Sequence, residues 1–387
     1  MAAGVSLTDR QRLDWLRLIR TETIGPRTFR GLVARFGSAS AALDALPEVA
    51  RKARRTIRIG TLAEAEREVS ALTRLGARVI GLDEPDYPAP LRAIETAPPI
   101  ITVLGKAEAL LKPCVAIVGS RNASTAGQKF AAGLARDLGG AGFTIVSGLA
   151  RGIDTVAHRA SLATGTVAVM AGGLDKIYPP QNEALLQDLI GEGAALCEMP
   201  LGWVARGRDF PRRNRLVSGL SLGTVVVEAA RRSGSLITAR FANEQGRQVF
   251  AVPGSPLDPR AEGGNALIRE GAILCAEAEH VIEALAPLIG RSELPPQTSL
   301  FRESGPDAME LWNELDHSEA SDGPPSDESL ERDPRDSLLT LLGPTPVFLD
   351  DLVISSGQPA RAVSGMVLEL ELAGLVQRQP NGSWVKA

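Results

Sequence analysis

The chain has 387 residues, of which 44% are hydrophobic, so it has room for two or three domains with at least one large core. Its three cysteines, Cys114, Cys197 and Cys275, lie far apart in apolar runs, which excludes a zinc ribbon or a disulfide framework and fits a reduced interior. The net charge of -4 hides a basic centre, because residues 201–250 carry 9 basic and 3 acidic side chains whereas residues 291–336 carry 4 basic and 13 acidic ones.

The first 20 residues lack the continuous apolar stretch of a signal peptide. Elsewhere the sequence has no uncharged apolar run of about 20 residues, the length that a membrane-spanning helix needs. We therefore expect a soluble, cytoplasmic protein with no membrane span.

Residues 1–76 are predicted to form a small helical domain. Apolar side chains recur at three- and four-residue steps at positions 13, 16 and 19 and again at 29, 32, 33 and 36, and Gly25-Pro26 separates the two runs. Two helices joined by a glycine turn resemble the helix-hairpin-helix or SAM-like units of DNA repair proteins, in which the turn offers backbone N–H groups to a phosphate. A helical bundle used only for packing fits the pattern as well, and both interpretations stay open.

Residues 77–290 alternate between short β-branched runs and helical stretches. Six runs, at 114–118, 143–146, 166–170, 195–198, 223–228 and 248–252, stand out, and most lead into glycine or serine and then a helix-like segment. Nearly continuous apolar strands separated by helices are typical of a parallel sheet covered on both faces. The sequence therefore predicts an α/β domain with a Rossmann-like, doubly wound, mainly parallel sheet.

The last hundred residues are predicted to hold a linker and a third domain. Residues 291–332 are acidic and rich in proline and serine, which indicates a disordered linker. Residues 333–387 give three short helices and a hairpin around Asn381-Gly382, the order of a winged helix. The presumed recognition helix carries Arg361 against Glu369 and Glu371, and a major-groove reader would need more cations. We therefore favour a protein-contact or regulatory role for this domain over DNA reading.

The first strand runs into Gly119-Ser120-Arg121 and then a helix, which is the position at which a Rossmann domain binds phosphate. The G-x-G-x-x-G fingerprint is missing, and no acidic residue follows the second strand. These departures disfavour a dinucleotide, and we expect no cofactor. An arginine in the turn suits a phosphate that needs a charged partner as well as backbone donors.

Three more segments follow strands or open helices on what should be the same edge of the sheet. The second strand ends at Ser147-Gly148 and leads to Arg151, which fits an ordinary turn as well as a phosphate site. The third segment combines cations with one aromatic at a helix start and can bind phosphates and stack a base: Phe210, Arg212, Arg213, Asn214 and Arg215. The fourth offers small hydroxyls that could equally be helix caps: Ser233, Gly234, Ser235 and Thr238. Each turn alone is weak evidence, but several such turns on one edge of the sheet together indicate a binding site for a polyanion.

Five blocks occur in a recognisable order: VAIVGSRNAS, SGLARGIDTVAH, FPRRNRLVSGLS, VVVEAARRSGSLITARFANEQGRQVFAVPG and GGNALIREGA. Over residues 80–290 they resemble the DNA-processing protein A family (DprA, also called Smf). The resemblance implies single-stranded DNA binding, protection of incoming DNA in natural transformation, loading of the RecA recombinase in homologous recombination, and a homodimer built through the Rossmann-like domain. It places the family's glycine-serine-arginine motif on Gly119, Ser120 and Arg121 and its basic DNA-contacting segment on residues 210–215.

We therefore expect a binding protein and not an enzyme. Arg121, Arg213 and Arg215 would neutralise phosphates, Gly119 and Ser120 would supply N–H donors, and Phe210 would stack a base. The alternative is a nucleoside-monophosphate phosphoribohydrolase, because SLGTVVVEAARRSG faintly resembles the glycine-rich loop of those enzymes, with Glu228 as the catalytic carboxylate and Arg213 on the 5′-phosphate. Ser221-Leu222 stand where that loop has two glycines.

Other enzyme classes find little support in the sequence. The Walker A motif is absent, and no cluster of carboxylates suggests a metal nuclease, so we expect no metal site. The three histidines are scattered, and His158 is interpreted as a satisfied helical residue.

Overall fold

The computed structural model describes residues 6–52, 56–290 and 333–387. The described part of the first region contains four helices: α1 (Asp9–Ile19), α2 (Pro26–Phe36), α3 (Ala39–Lys52) and α4 (Leu62–Leu75). The hydroxyl of Thr8 caps α1, and Gly37, in the left-handed region at φ 82°, ends α2. Trp15 and Phe29 pack edge to face in the core of this region, with ring centroids 5.2 Å apart.

The central region is built on a nine-stranded sheet. Its strands are β1 (Ala77–Gly81), β2 (Ile100–Gly105), β3 (Cys114–Gly119), β4 (Thr144–Ser147), β5 (Thr166–Val169), β6 (Ala194–Cys197), β7 (Gly223–Val227), β8 (Gln248–Ala251) and β9 (Ile273–Leu274). The spatial order is β1-β2-β6-β5-β4-β3-β7-β8-β9. The six predicted strands, β3 to β8, pair in parallel throughout, which confirms the Rossmann-like prediction. The structure adds an antiparallel edge, since β2 pairs antiparallel with both β1 and β6, and a short parallel strand, β9.

Helices cover both faces of this sheet: α5 (Ala89–Ala93), α6 (Thr125–Gly140), α7 (Ile153–Ser161), α8 (Glu183–Glu192), α9 (Asp209–Leu220), α10 (Gly234–Glu244), α11 (Glu262–Arg269) and α12 (Ala278–Leu285). Successive side chains of β3 point to opposite faces. Ile117 joins a core that includes α6 and α12, whereas Ala116 joins a core that includes α9. All three cysteines are free thiols, as predicted, and all three are buried, which raises the pKa of Cys114 to about 12.

The third region is a winged helix, as predicted. Its elements are α13 (Pro334–Leu341), α14 (Leu349–Ser356), α15 (Ala360–Leu372), β10 (Val376–Arg378) and β11 (Trp384–Lys386). Polar contacts join it to the central region. The Arg260 guanidinium donates to the carbonyl oxygens of Thr340 (2.7 Å) and Leu342 (3.0 Å), and Lys129 of α6 pairs with Asp351 at 3.2 Å.

The predicted linker, residues 291–332, lies outside the described residues. Within the described ranges, no helix is both long enough and apolar enough to cross a membrane.

Candidate nucleic-acid interface

Parallel pairing brings the carboxyl ends of β3, β4, β5 and β7 to one edge of the sheet. Helix α9 begins at the same edge, because it returns the chain from the end of β6 to the start of β7. Four segments meet there, at residues 120–121, 148–151, 170–178 and 208–213, and we call them the rim. Arg121 and Arg213, which were predicted to converge, both belong to this rim.

The turn between β3 and α6 is closed by the chain itself. A Cβ atom on Gly119 would lie 1.9 Å from the carbonyl oxygen of Val227, so only glycine fits. The N–H of Ser120 donates to that same carbonyl at 3.3 Å. At the start of α6, the Glu228 carboxylate accepts the backbone N–H of Ser124 at 2.8 Å and also the Ser124 hydroxyl. A carboxylate of the protein thus holds the place at which a Rossmann domain binds phosphate.

This arrangement corrects the expectation that Gly119 and Ser120 supply free N–H donors. Gly119 is a paired residue of β3, and the Ser120 N–H is satisfied within the sheet. The turn after β4 behaves in the same way, because Asp154 accepts the N–H groups of Gly148 (3.0 Å) and Ala150 (3.3 Å). Ser147 is fully buried, and its hydroxyl donates to the carbonyl of Ile117 at 2.6 Å, so it does not reach the rim.

Gly148 has a different role from the one predicted. A Cβ atom at this position would lie 1.4 Å from an Nη atom of Arg213, so the missing side chain leaves room for that guanidinium. Arg213 is only 5% exposed, and burial lowers the pKa of its guanidinium to about 10, an effect that the charge of Asp154 opposes. The guanidinium remains protonated at neutral pH, and it is fixed in a recess of the rim.

Arg121 lies on the same side of the molecule as Arg213. Its guanidinium carbon is 5.5 Å from the centroid of the Phe210 ring, which packs edge to face on Tyr178 at 5.3 Å. Phe210 is 8% exposed and lines the recess together with Arg213. The arginine of the first turn and the buried arginine of α9 therefore meet around one aromatic ring.

Sequence reasoning missed Lys176 and Tyr178, the second cation and the second aromatic side chain of this recess. They lie in the segment after β5, and Lys176 is exposed. Gly172 and Gly173 lie a few residues before them and resemble the glycines that follow the other strands. These glycines could have added the segment after β5 to the predicted site.

Arg215 corrects another expectation, because it does not reach the rim. Its side chain is 2% exposed, forms an ion pair with Glu198 and donates to the carbonyl of Thr96 at 2.6 Å. Positions two apart on a helix point about 200° apart, so Arg213 and Arg215 leave α9 in opposite directions. Arg215 joins α9 to the end of β6 and to the segment before β2, and it is not placed to neutralise a phosphate.

The remaining predicted residues divide between structural contacts and the rim. Asn214 donates to the carbonyl of Gly234 at 3.3 Å and ties α9 to the start of α10. Ser233 caps α10, which confirms the capping alternative, and Ser235 and Thr238 are buried. Arg151 and Arg212 are both partly exposed in the rim segments.

Comparisons with known proteins cover all three regions. The model of the family "DNA recombination-mediator protein A" matches residues 78–286, that of the "DprA-like N-terminal HHH domain" matches 9–71, and that of the "DprA winged helix domain" matches 320–382. The second match confirms the helix-hairpin-helix interpretation of the first region. Protein Smf of Escherichia coli is 39% identical over 309 residues, which cover 79% of this chain and 76% of that protein.

Two solved structures are also similar. DNA processing protein A of Streptococcus pneumoniae aligns with a TM-score of 0.60 and 31% identity over 72% of this chain and 98% of that one. DNA processing protein A of Helicobacter pylori, which has a unique single-stranded DNA binding mode, aligns with a TM-score of 0.51 and 27% identity over 56% of this chain and 98% of that one.

Proposed function

This chain belongs to the DNA recombination-mediator protein A family, and from that premise we propose that it binds single-stranded DNA along the rim. In this proposal the bound strand is protected and then passed to the RecA recombinase, in natural transformation or in other homologous recombination. The observation that carries it is the buried Arg213 guanidinium, for which Gly148 leaves room and which shares its recess with Lys176 and with the Phe210 ring under Arg121.

Phosphate binding at this rim depends on side-chain cations. The N–H groups of Ser120, Gly148 and Ala150 already have partners within the protein, so they are not free donors for a ligand. The guanidinium of Arg121 is exposed, whereas that of Arg213 lies at the bottom of the recess. A strand that reached both would gain charge-assisted hydrogen bonds without any reading of sequence.

The recess also favours a single strand over a duplex. Because Arg213 is buried, a phosphate or base must enter between the Phe210 ring and the turn at Gly148 to reach it. A single strand can bend its backbone and turn out a base, whereas a duplex keeps its bases stacked inside. A base could stack on Phe210 once the Arg121 guanidinium moved from the ring face to a phosphate.

We propose that the protein acts without catalysis. The carboxylate required by the nucleotide-hydrolase alternative, Glu228, accepts two hydrogen bonds from Ser124 at the start of α6. A Cβ atom on Gly127 would lie 2.6 Å from one of its oxygens, so the carboxylate packs closely against the helix. This is the geometry of a structural helix cap. Incubation with nucleoside monophosphates should release no free base.

The other partners follow from the family. We propose a homodimer formed through the central region, which would place two rims side by side and lengthen the path of the strand. Transfer of that strand to RecA would take place in the cytoplasm. This transfer can be tested by measuring RecA filament assembly on DNA coated with a single-strand-binding protein. We expect the protein to shorten the lag before assembly.

The binding proposal is tested by fluorescence anisotropy with a labelled oligo(dT) and a duplex of equal length across a KCl series. We expect a preference for the single strand and a log–log salt slope of about -0.7 for each phosphate neutralised. Arg121→Ala should weaken binding, while Arg136→Ala, an exposed cation on the half of α6 farther from the rim, should not. Equal affinity for both DNA forms, or a flat salt response, would overturn the proposal.

A further inference from the structure

The segment between β6 and α9 carries a tryptophan that no core uses. Among the described residues, Trp15 and Trp384 are 9% exposed and belong to the cores of the first and third regions. Trp203 is more exposed and packs into none of the apolar cores formed by the described residues. A large aromatic side chain outside any core suggests a surface on which a ligand can stack.

The indole is nevertheless held in place. Its Nε1–H donates to Oδ2 of Asp209 at 2.9 Å, and the same oxygen accepts the backbone N–H of Arg206 at 2.9 Å. Asp209 is 2% exposed and lies one residue before Phe210. Through these two hydrogen bonds to one carboxylate oxygen, Asp209 fixes the loop to the start of α9.

The same loop is joined to the recess of the rim. The carbonyl oxygen of Trp203 accepts the N–H of Gly173 at 3.0 Å, and the N–H of Gly202 donates to the Asp175 carboxylate at 2.7 Å. A Cβ atom on Gly172, which lines the recess, would lie 2.9 Å from the Trp203 carbonyl oxygen. The backbone of Trp203 therefore packs against the segment that carries Lys176.

The charges around the ring complete the site. The Arg206 guanidinium carbon lies 5.3 Å from the centroid of the Trp203 ring, and the Arg206 side chain is exposed. Lys176, Arg208 and Arg212 lie in the adjoining rim segments. An indole paired with an exposed cation can receive a base on its face while the guanidinium moves to the neighbouring phosphate.

We propose that Trp203 and Arg206 form a second contact for single-stranded nucleic acid, in which an unstacked base lies on the indole and Arg206 binds the adjoining phosphate. The inference rests on the proposed function and extends it, because the strand would run from Arg121 and Arg213 past Lys176 to this loop. The contact tolerates any base, since every base offers a π face, and it is closed to an intact duplex, whose bases are stacked inside.

The test follows the intrinsic tryptophan fluorescence of the full chain during titration with unlabelled oligo(dT), in parallel with the anisotropy of a labelled oligo(dT). Wild-type fluorescence should be quenched as the anisotropy rises. Trp203→Leu should abolish that quenching and weaken binding about tenfold, within the range for loss of one stacked base. The control Trp384→Phe, in the core of the third region, should keep both the quenching and the affinity.

Arg206→Ala gives a second, independent readout, because this exposed side chain can be removed without opening a core. It should lower the log–log salt slope by about 0.7, the loss of one phosphate contact. A normal rise in anisotropy with unchanged fluorescence, and an unaltered salt slope in Arg206→Ala, would overturn the inference and leave the proposed function standing. Absence of any anisotropy change in the wild type would overturn both.

Discussion

The rim of the central region and the winged helix are both architectures that contact nucleic acids in other proteins, and here they differ in charge. The rim presents Arg121, Lys176 and the buried Arg213. The presumed recognition helix α15 presents Arg361 and Glu369 together with the apolar Leu368 and Leu372, which are 54% and 81% exposed. The fold alone therefore does not decide which region binds a polyanion. The decisive feature is the side chains on the exposed face.

The acidic side of α15 is also engaged within its own domain. Glu369 pairs with Arg335 at 2.8 Å, so part of the local positive charge is already neutralised. The domain is joined to the central region by Arg260, whose guanidinium is held by Asp258 and bonds two carbonyl oxygens at the end of α13. These features agree with the protein-contact or regulatory role favoured from the sequence, which stays a prediction.

The largest expected difference between the two regions is their response to acid. His158 is fully buried, its Nδ1 lies 2.7 Å from the Thr166 hydroxyl, and burial lowers its pKa to about 3, whereas residues 333–387 contain no histidine. An unfolded histidine titrates near pH 6.5, so protonation favours the unfolded state. The free energy of unfolding of the central region should have its full value well above pH 6.5. Because of this residue, it should be about 3 kcal/mol lower at pH 4.5.

Hydrogen–deuterium exchange, corrected for the intrinsic pH dependence, can measure this loss peptide by peptide. Peptides of the central sheet should lose protection between pH 6.5 and pH 4.5, and peptides from residues 333–387 should lose much less. In His158→Asn, which keeps a polar atom near the position of Nδ1, the slope should become shallower. An identical slope in this variant would show that carboxylates alone set the acid response.

The next largest effect is expected from Arg213→Ala. Loss of a charge-assisted phosphate contact costs about 2 kcal/mol, so oligo(dT) affinity should fall about 30-fold at moderate salt. The variant also leaves Asp154 with Arg121 as its remaining nearby cation, and the melting temperature must therefore be measured beside the anisotropy. Arg136→Ala supplies the matched loss of one positive charge. Binding that survives Arg213→Ala in a folded protein would move the site away from the recess.

Arg213 and its neighbour Arg215 show how far the sequence could predict this site. The parallel strands, the common edge and the basic helix start all follow from periodicity and from turn residues, and the structure confirms that architecture. Which of two arginines faces the rim depends on the rotation of α9 over the sheet, a tertiary property that spacing alone does not determine. Arg215 faces Glu198, a partner 17 residues away whose position depends on the fold.

The carboxylates of Glu228 and Asp154, which bind the N–H groups of the turns, show a second limit of prediction from the sequence. Glu228 lies 104 residues from Ser124 in the sequence, and only the pairing of β3 with β7 brings them together. The sequence suggested open N–H groups because glycine and a helix start are the usual marks of an anion site. The sequence does not show that a carboxylate of the chain itself occupies such a site, because that depends on which strands are neighbours in the sheet.

A smaller effect is expected from Lys176→Ala, which removes the cation that sequence reasoning missed. The ammonium is exposed, so its contact with a phosphate should contribute about 1 kcal/mol, or roughly fivefold in affinity. The log–log salt slope should fall by about 0.7. Anisotropy with oligo(dT) across the KCl series measures both quantities. An unchanged slope would show that the strand passes Arg213 without following the segment after β5.

The smallest effect is expected in the winged helix, and it is the sharpest test of the comparison. Arg361 and Arg378 are the exposed arginines of α15 and β10, and Arg378 lies over the Trp384 ring with 5.6 Å between its guanidinium carbon and the ring centroid. With both replaced by alanine, oligo(dT) affinity should change less than about twofold, because Glu369 and Glu371 of α15 offset these positive charges. If the double variant instead lost as much affinity as Lys176→Ala, with a matching fall in the salt slope, the strand would have to run across both regions. Two arginines beside Glu369 and Glu371 would then be enough to bind the strand. The difference in charge between α15 and the rim would therefore not exclude the winged helix from binding.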